Sequence, residues 1–183
     1  MEPMHGTTIV AVRREGVTAI AGDGQVTLGQ IIMKVGAVKV RRLEVGGGIL
    51  VGFAGAVADA QTLLEKFENA LGVAKGSLVR AAVETAKLWR TDRVLRNLEA
   101  MMIVADRDTL LILSGNGEVL TPDEPVIAIG SGGGYALSVA KALIRHSDLT
   151  APEIAEQAIR IAGEIDLYTS GNPTQVLSVG GNV

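Results

Sequence analysis

The sequence contains no cysteine, and its 183 residues include only one Trp, two Tyr, two Phe and two His. The absence of cysteine excludes disulfide bonds, cysteine catalysis and thiolate metal sites. Because aromatic side chains are so few, the core has to be built from Val, Ile, Leu and Ala. Hydrophobic residues make up 48% of a chain of one-domain length, so a sizeable core is possible all the same.

Long apolar segments and clusters of basic charge are also missing. No apolar run is long enough to span a membrane. The formal net charge is -3 and the basic residues are dispersed, which gives no sign of a nucleic-acid-binding surface. The leader, residues 1–6, is too short and too polar for a signal peptide. We therefore expect a cytoplasmic protein with no membrane or nucleic-acid partner.

Motifs for nucleotide binding and for a serine triad are absent or incomplete. There is no Walker A lysine motif, and Gly130–Gly134 resembles a dinucleotide loop only until Tyr135 stands in place of the third glycine. Asp148, the acid at a plausible distance, precedes a helix cap instead of ending a strand. No Gly-x-Ser-x-Gly motif occurs, and neither His5 nor His146 pairs credibly with a serine. These patterns argue against both activities.

Periodicity and turn residues divide the chain into segregated blocks of strands and helices. Such blocks favour an α+β fold of two sheets packed face to face with helices outside each, over alternating βαβ units. Residues 25–36 are expected to be loop with some extended structure, and 7–183 to form one domain after the leader. The predicted strands are 7–14, 17–21, 38–43, 49–53, 100–105, 109–113, 118–120, 126–130 and 175–179; the predicted helices are 56–71, 78–89, 135–145 and the segment from the Thr150–Glu153 capping box to about 167.

The first two strands form a predicted hairpin whose loop length is open to two interpretations. A two-residue type I′ loop requires positive φ at both central positions, which suits Glu15 poorly. A three-residue loop, Arg14–Gly16 with Gly16 left-handed, fits better. We therefore predict that Arg13 pairs with Val17.

This register decides which hydroxyl group meets Asp23. The three-residue loop places Thr7 opposite Asp23 on the same face, whereas the shorter loop would place Thr8 there and turn Thr7 away. If the Gly6–Thr7 bond were cut, Thr7 would carry a free α-amine, whose pKa is near ~7.7–8.0. That amine could accept the proton of the Thr7 hydroxyl, as in N-terminal threonine nucleophiles. Without cleavage, the segment is an ordinary edge strand after a short leader.

Lys39 lies on the predicted third strand between the apolar residues Val38 and Val40. Strand alternation directs its side chain to the opposite face from theirs. Lysines on strands usually face solvent. If that face meets Thr7 and Asp23, however, the cation would disfavour protonation of the Thr7 amine and favour the ionised Asp23.

Several separate motifs occur in an order that resembles the HslV family. These are the proteolytic subunits of the two-component ATP-dependent protease HslUV and bacterial relatives of proteasome β subunits. The resemblance implies the four-layer αββα sandwich of N-terminal nucleophile hydrolases and a threonine endopeptidase activity. It extends from Thr7 to Thr169. The matching segments are Thr7–Arg14, Ala21–Gln25, Lys39–Leu43, Gly52–Gly55, Ala86–Arg93, Gly115–Gly117 and Ile127–Gly133.

The same resemblance implies a role for five residues. Thr7 is implied as the nucleophile, with Asp23 and Lys39 in support. The N–H of Gly52 is implied as an oxyanion donor, and Ser131 as the serine near the threonine amine. Without the resemblance, Gly52 could equally be a packing glycine and Ser131 a turn serine.

Metal and partner expectations rest wholly on the resemblance. It implies a sodium ion held by backbone carbonyls of Gly163, Asp166 and Thr169, and no catalytic cofactor. It also implies two stacked hexameric rings and a separate hexameric HslU-type AAA+ ATPase, which uses the ATP and delivers protein substrates. The alternative is a non-catalytic ring or scaffold subunit with the same fold.

Overall fold

A computed structural model describes residues 4–5, 7–45, 47–55, 57–92, 95 and 100–181. Met1–Pro3 and Gly6 of the expected leader, and Gly46 of an expected turn, lie outside the described residues. The strands are β1 (Met4–His5), β2 (Thr8–Arg14), β3 (Val17–Asp23), β4 (Val26–Leu28), β5 (Ile31–Lys34), β6 (Val40–Leu43), β7 (Ile49–Ala54), β8 (Met101–Ala105), β9 (Leu110–Ser114), β10 (Val119–Leu120), β11 (Val126–Gly130) and β12 (Pro173–Gly180); the helices are α1 (Val57–Val73), α2 (Leu78–Thr91), α3 (Gly133–His146) and α4 (Ala151–Gly163).

Two antiparallel sheets form the centre of the fold. One has the strand order β11-β2-β3-β12 and the other β10-β9-β8-β7-β6. Ile9 and Ile20 of the first sheet pack against Leu50 and Ile103 of the second, in an interior cluster of branched aliphatic side chains. A Cβ at Gly52 would lie 2.7 Å from the Ile9 Cγ2, so only glycine leaves room for Ile9 there.

Helix pairs cover the outer faces of both sheets. The outer faces of β2 and β3 pack against the apolar sides of α3 and α4. On the other sheet, β7, β8 and β9 pack against α1 and α2, where Trp89 and Phe67 are fully buried. The predicted α+β class and the four-layer αββα order are therefore confirmed. Within the described residues, no helix is both long enough and apolar enough to cross a membrane.

The loop of the first hairpin was predicted wrongly. Arg14 pairs with Val17, so only Glu15 and Gly16 form the loop, with φ of 53° and 75°. This is the tighter turn with both central residues left-handed, whose twist matches that of the flanking strands. A left-handed non-glycine residue costs about 1–2 kcal/mol. Glu15 adopts that conformation nevertheless, so Thr8, not Thr7, falls opposite Asp23.

Further boundaries differ from the sequence prediction. Lys39 precedes β6 instead of lying on a strand. The segment 25–36 contains the two short strands β4 and β5, in agreement with the expected loop with some extended structure. Helix α4 ends at Gly163, not near 167. A Cβ at Gly163 would lie 2.3 Å from the Gly171 Cα, so the chain returns across the helix end where only glycine fits. The capping box at the start of α4 is confirmed: Glu153 accepts hydrogen bonds from the Thr150 N–H at 2.7 Å and hydroxyl at 2.6 Å.

A third, small sheet has the order β1-β4-β5. In it the leader residues Met4 and His5 pair antiparallel with Leu28 and Thr27 of β4. The leader therefore occupies one edge of β4, while β5 occupies the other.

Candidate active site

Asp23 lies at the C-terminal end of β3, and its carboxylate accepts four hydrogen bonds. It is fully buried. Its Oδ1 accepts the Thr8 N–H at 2.6 Å and the Lys39 Nζ at 3.1 Å, and its Oδ2 accepts the Gln25 N–H at 2.8 Å and the Ser170 N–H at 3.3 Å. A buried carboxylate is tolerated when charge and lone pairs are matched in this way. Asp23 thereby fixes the peptide unit between Thr7 and Thr8.

Lys39 reaches Asp23 from the segment just before β6. Its side chain is only 7% exposed, and its Nζ also contacts the backbone oxygen of Gln25 at 2.5 Å. Burial lowers the pKa of the Lys39 ammonium from its ordinary value, while the Asp23 carboxylate acts in the opposite direction. Val38 is exposed and Val40 is buried, so these two residues do not share a face as strand alternation requires. The position of the Lys39 side chain is explained by its ion pair with Asp23 instead.

Thr7 lies immediately before β2 and is 7% exposed. Its backbone oxygen accepts the Ser131 N–H at 3.0 Å. Ser131 belongs to the turn between β11 and α3, where Gly130 has a φ of 97°. A Cβ on Gly130 would lie within 1.8 Å of the Thr7 oxygen, so the close approach of this turn to Thr7 requires glycine.

A line of hydroxyl groups joins this turn to the segment after α4. Asp166 Oδ2 accepts the Ser131 hydroxyl at 2.7 Å and the Thr169 hydroxyl at 2.5 Å. Thr8 and Thr169 hydroxyl oxygens are 2.6 Å apart, and Thr8 Oγ1 accepts the Gly132 N–H at 2.9 Å. Each hydroxyl has one proton. Since Thr169 gives its proton to Asp166, Thr8 is the donor to Thr169, and the Ser131 oxygen keeps its lone pairs for another donor.

Gly52 was predicted next to the end of the strand 49–53, but the structure extends this strand to Ala54. Gly52 lies in the middle of β7, with Ile103 of β8 as its register partner. The N–H of the next residue, Phe53, points to the other side and bonds to the Lys39 oxygen at 3.2 Å. Because successive N–H groups of an antiparallel strand point to opposite neighbours, the Gly52 N–H faces β8 and belongs to the ladder. Gly55 follows the end of β7 directly, and the alternation, if continued by one residue, would turn its N–H toward the Lys39 side.

The segment proposed for sodium forms the turn after α4. The oxygen of Asp166 accepts the Thr169 N–H at 3.1 Å. Backbone carbonyls of this kind are suitable ligands for a hard cation. In the described part of the chain, no group of three or more His, Asp or Glu side chains could hold a metal ion. Backbone ligation of sodium stays a prediction.

The structure therefore brings four predicted residues into one region: Thr7, Asp23 and Ser131 with Lys39. Sequence reasoning missed the roles of Thr8 and Gln25 and of the side chains of Asp166 and Thr169. Thr169 carried a signal in the sequence, since it lies just beyond the predicted helix end near 167, whereas Gln25 lies in the expected loop 25–36 and carried none. Nothing in the sequence indicated that the segment containing Gln25 meets the segment after α4, which contains Asp166 and Thr169.

Comparison with known proteins agrees with this architecture. A family model described as "Proteasome subunit" matches residues 4–177. The match covers most of the chain, and the fold of two helix-covered sheets is the one described above. The chain belongs to the proteasome subunit family.

Two relatives narrow this assignment. The chain is 57% identical over 172 residues to the ATP-dependent protease subunit HslV of Sulfurihydrogenibium sp. (strain YO3AOP1), covering 94% of this chain and 96% of that one. The crystal structure of eukaryotic HslV from Trypanosoma brucei superimposes with a TM-score of 0.88 at 44% identity, covering 95% of this chain and 99% of that one. Within the family, this chain is therefore an HslV-type protease subunit.

A more distant structure shares the fold alone. Thiobacillus denitrificans BPH superimposes with a TM-score of 0.72 at 22% identity, covering 94% of this chain and 97% of that one. The same protein has also been solved in complex with epoxomicin, with a TM-score of 0.73.

Proposed function

We propose that this chain is a threonine endopeptidase, the proteolytic core of an HslUV-type ATP-dependent protease, and that Thr7 is its nucleophile once residues 1–6 are removed. One observation carries the proposal. The Thr7–Thr8 unit is held from two sides, by Asp23 through the Thr8 N–H and by the turn of Ser131 through the Thr7 oxygen. An ordinary strand end needs no such buried polar support.

The chemistry follows from the position of the amine. A free α-amine on Thr7 has a pKa near ~7.7–8.0 in the absence of perturbation, so a useful fraction is neutral at physiological pH. It accepts the hydroxyl proton, directly or through water, while Oγ1 attacks the scissile carbonyl carbon. The amide nitrogen then leaves with that proton and an ester remains on Thr7. Water hydrolyses the ester and restores the hydroxyl. While Gly6 is attached, the same nitrogen is an amide and cannot act as a base.

The surrounding residues have complementary roles. A charged Lys39 disfavours protonation of the Thr7 amine, and Asp23 holds Lys39 in place. The lone pairs of the Ser131 oxygen are available to the amine or to a bridging water, since its proton is given to Asp166. We assign the oxyanion donor to the N–H of Gly55 instead of Gly52, because Gly55 follows the end of β7 and strand alternation, if continued, turns its N–H toward the Lys39 side.

Removal of the leader also changes the surface beside Thr7. In the uncleaved chain, β1 pairs with the outer edge of β4 through Met4–Leu28 and His5–Thr27. After removal, the N–H and C=O groups on that edge of β4 are free for another extended segment. Addition of a substrate strand to such an edge is a common way to bind peptides without regard to sequence.

Partners and location remain part of the proposal. The relative from Sulfurihydrogenibium is named as a subunit of an ATP-dependent protease. This chain carries no Walker A motif, so ATP hydrolysis and unfolding are assigned to a separate HslU-type hexamer. We propose two stacked hexameric rings in the cytoplasm, and a sodium ion on the carbonyls of Gly163, Asp166 and Thr169 in a structural role.

The decisive experiment is intact mass of purified protein before and after exposure to a peptide epoxyketone such as epoxomicin. We expect a mature chain beginning at Thr7 and one inhibitor per chain, with no labelling of Thr7→Ala. An unlabelled wild-type chain with full peptidase activity would contradict the assignment. A chain that begins at Thr7 but neither binds the inhibitor nor cleaves peptides would favour the inactive ring subunit.

A further inference from the structure

Gln25 is a buried polar residue that the proposed reaction does not use. It is 4% exposed and follows Asp23 by two residues, in the short segment between β3 and β4. Its backbone N–H donates to Asp23 at 2.8 Å, and its backbone oxygen receives the Lys39 Nζ at 2.5 Å. The main chain of Gln25 therefore contacts both members of the buried ion pair.

The side chain of Gln25 is fixed on the opposite side. Its Nε2 donates to the backbone oxygen of Leu167 at 2.9 Å and to the Thr27 hydroxyl at 3.1 Å. Both N–H groups of the amide are thereby used. A side chain with both donors occupied in a buried position leaves its own backbone little freedom, so the carbonyl that meets Lys39 is held by the amide.

The Leu167 contact matters because of where Leu167 lies. It follows Asp166 directly, and Asp166 accepts the hydroxyl of Ser131. A second hydrogen bond joins Asp23 to the segment after α4, from the Ser170 N–H at 3.3 Å. The Gln25 amide is thus the shorter of these two direct links across the site.

We propose that Gln25 is a positioning residue that holds Lys39 and Asp23 in register with the turn carrying Asp166, and so aligns the two sides of the Thr7 nucleophile. This inference rests on the proposed function. Gln25 itself touches neither substrate nor the reacting atoms. Displacement of a catalytic group by about 1 Å can cost on the order of 100-fold in rate.

The test uses Gln25→Met, which has a similar length but no donor for Leu167 or Thr27. We expect the saturating rate of epoxyketone labelling, kinact, to fall at least about tenfold, while the inhibitor constant KI stays within about twofold. We expect KI to change little because β4, which carries the proposed peptide-binding edge, is also held in place by its pairing with β5. A merely structural loss would lower the fraction of labelled protein instead of kinact.

A second variant and a matched control accompany this measurement. Gln25→Glu has nearly the same shape and can accept a hydrogen bond from the Thr27 hydroxyl instead of donating to it, but it cannot donate to the Leu167 oxygen; we expect the same fall in kinact. Thr85→Val removes a different buried hydrogen bond, from the Thr85 hydroxyl to the Ala81 oxygen at 2.8 Å in α2. It should leave kinact unchanged while lowering Tm.

The outcomes separate this inference from the proposed function. Folded Gln25→Met labelled at the wild-type kinact would overturn the positioning role and leave the role of Thr7 intact. Equal falls in kinact for Gln25→Met and Thr85→Val would overturn it as well. A wild-type chain that is not labelled at Thr7 would overturn both proposals together.

Discussion

At the scale of single residues, the Asp23–Lys39 pair links stability to activity. Removing one member of a buried ion pair leaves an uncompensated charge and costs about 3–5 kcal/mol. Lys39→Met should therefore lower Tm and slow epoxyketone labelling by at least about 100-fold, the scale seen on loss of one preorganised electrostatic group. Thermal unfolding and labelling kinetics measure the two effects separately.

The double variant Asp23→Asn/Lys39→Met is the control for this prediction. It replaces the ion pair with two neutral side chains of similar volume, so the part of the lost stability that comes from the unpaired Asp23 charge should return. The hydrogen bonds to one Asp23 oxygen stay lost, because an Asn amide accepts only through its single oxygen. Labelling should stay slow, because the cation near Thr7 is still missing. Recovery of labelling together with stability would show that Lys39 acts only through the fold.

Gly132 offers a second test at this scale. A Cβ there would lie 2.5 Å from Thr8 Oγ1 and 2.6 Å from Thr169 Oγ1. Gly132→Ala should displace these hydroxyls, cost about 1–3 kcal/mol through overpacking, and reduce peptidase activity. Gly134→Ala is the matched control: its Cβ meets nothing within 4 Å, and α3 should be as stable or more so. Equal losses of peptidase activity in both variants would contradict a role in catalysis for the hydroxyl groups of Thr8 and Thr169.

At the scale of elements, sequence patterns predicted most strands and helices but not their junctions. The helix of Ala151–Gly163 was predictable because the capping box and the apolar period are local signals. The hairpin loop was not predictable from local signals. The free-energy cost of a left-handed Glu15 is offset by the match between this turn and the twist of the two flanking strands, which involves both strands along their whole length. Lys39 and Asp166 acquire their partners only when distant segments meet. Their side-chain contacts therefore leave no periodic pattern.

The capping box gives a prediction for pH at the element scale. The Thr150 hydroxyl, followed by its N–H, lowers the pKa of Glu153 from 4.5. Ionised Glu153 therefore stabilises the folded state above the unfolded pKa, and this contribution is lost as pH falls through the lower folded pKa. The difference in Tm between wild type and Glu153→Ala should shrink from pH 6 toward more acidic solutions.

At the scale of the whole molecule, the layer order could be predicted because each layer covers the apolar face of the next. The small sheet could not, since it does not help to enclose the main core. Its strand β5 exposes Ile31, Ile32 and Met33 at 66%, 55% and 60% of their surfaces. Apolar groups gathered on a strand edge are a liability in a single chain and commonly mark an interface.

This surface is where the proposed ring assembly can be tested. If a second copy covers β5, Met33→Asp places an unpaired charge in the interface and should reduce the assembly to smaller species, measured by light scattering at micromolar concentration. Val73→Asp is the control, since Val73 is an equally apolar residue, 85% exposed, at the far end of α1. Peptidase activity should fall only in the first variant, because β5 pairs with β4, whose opposite edge is the proposed peptide-binding edge. An unchanged mass for Met33→Asp would place the ring contacts elsewhere and leave β5 as a surface for a different partner.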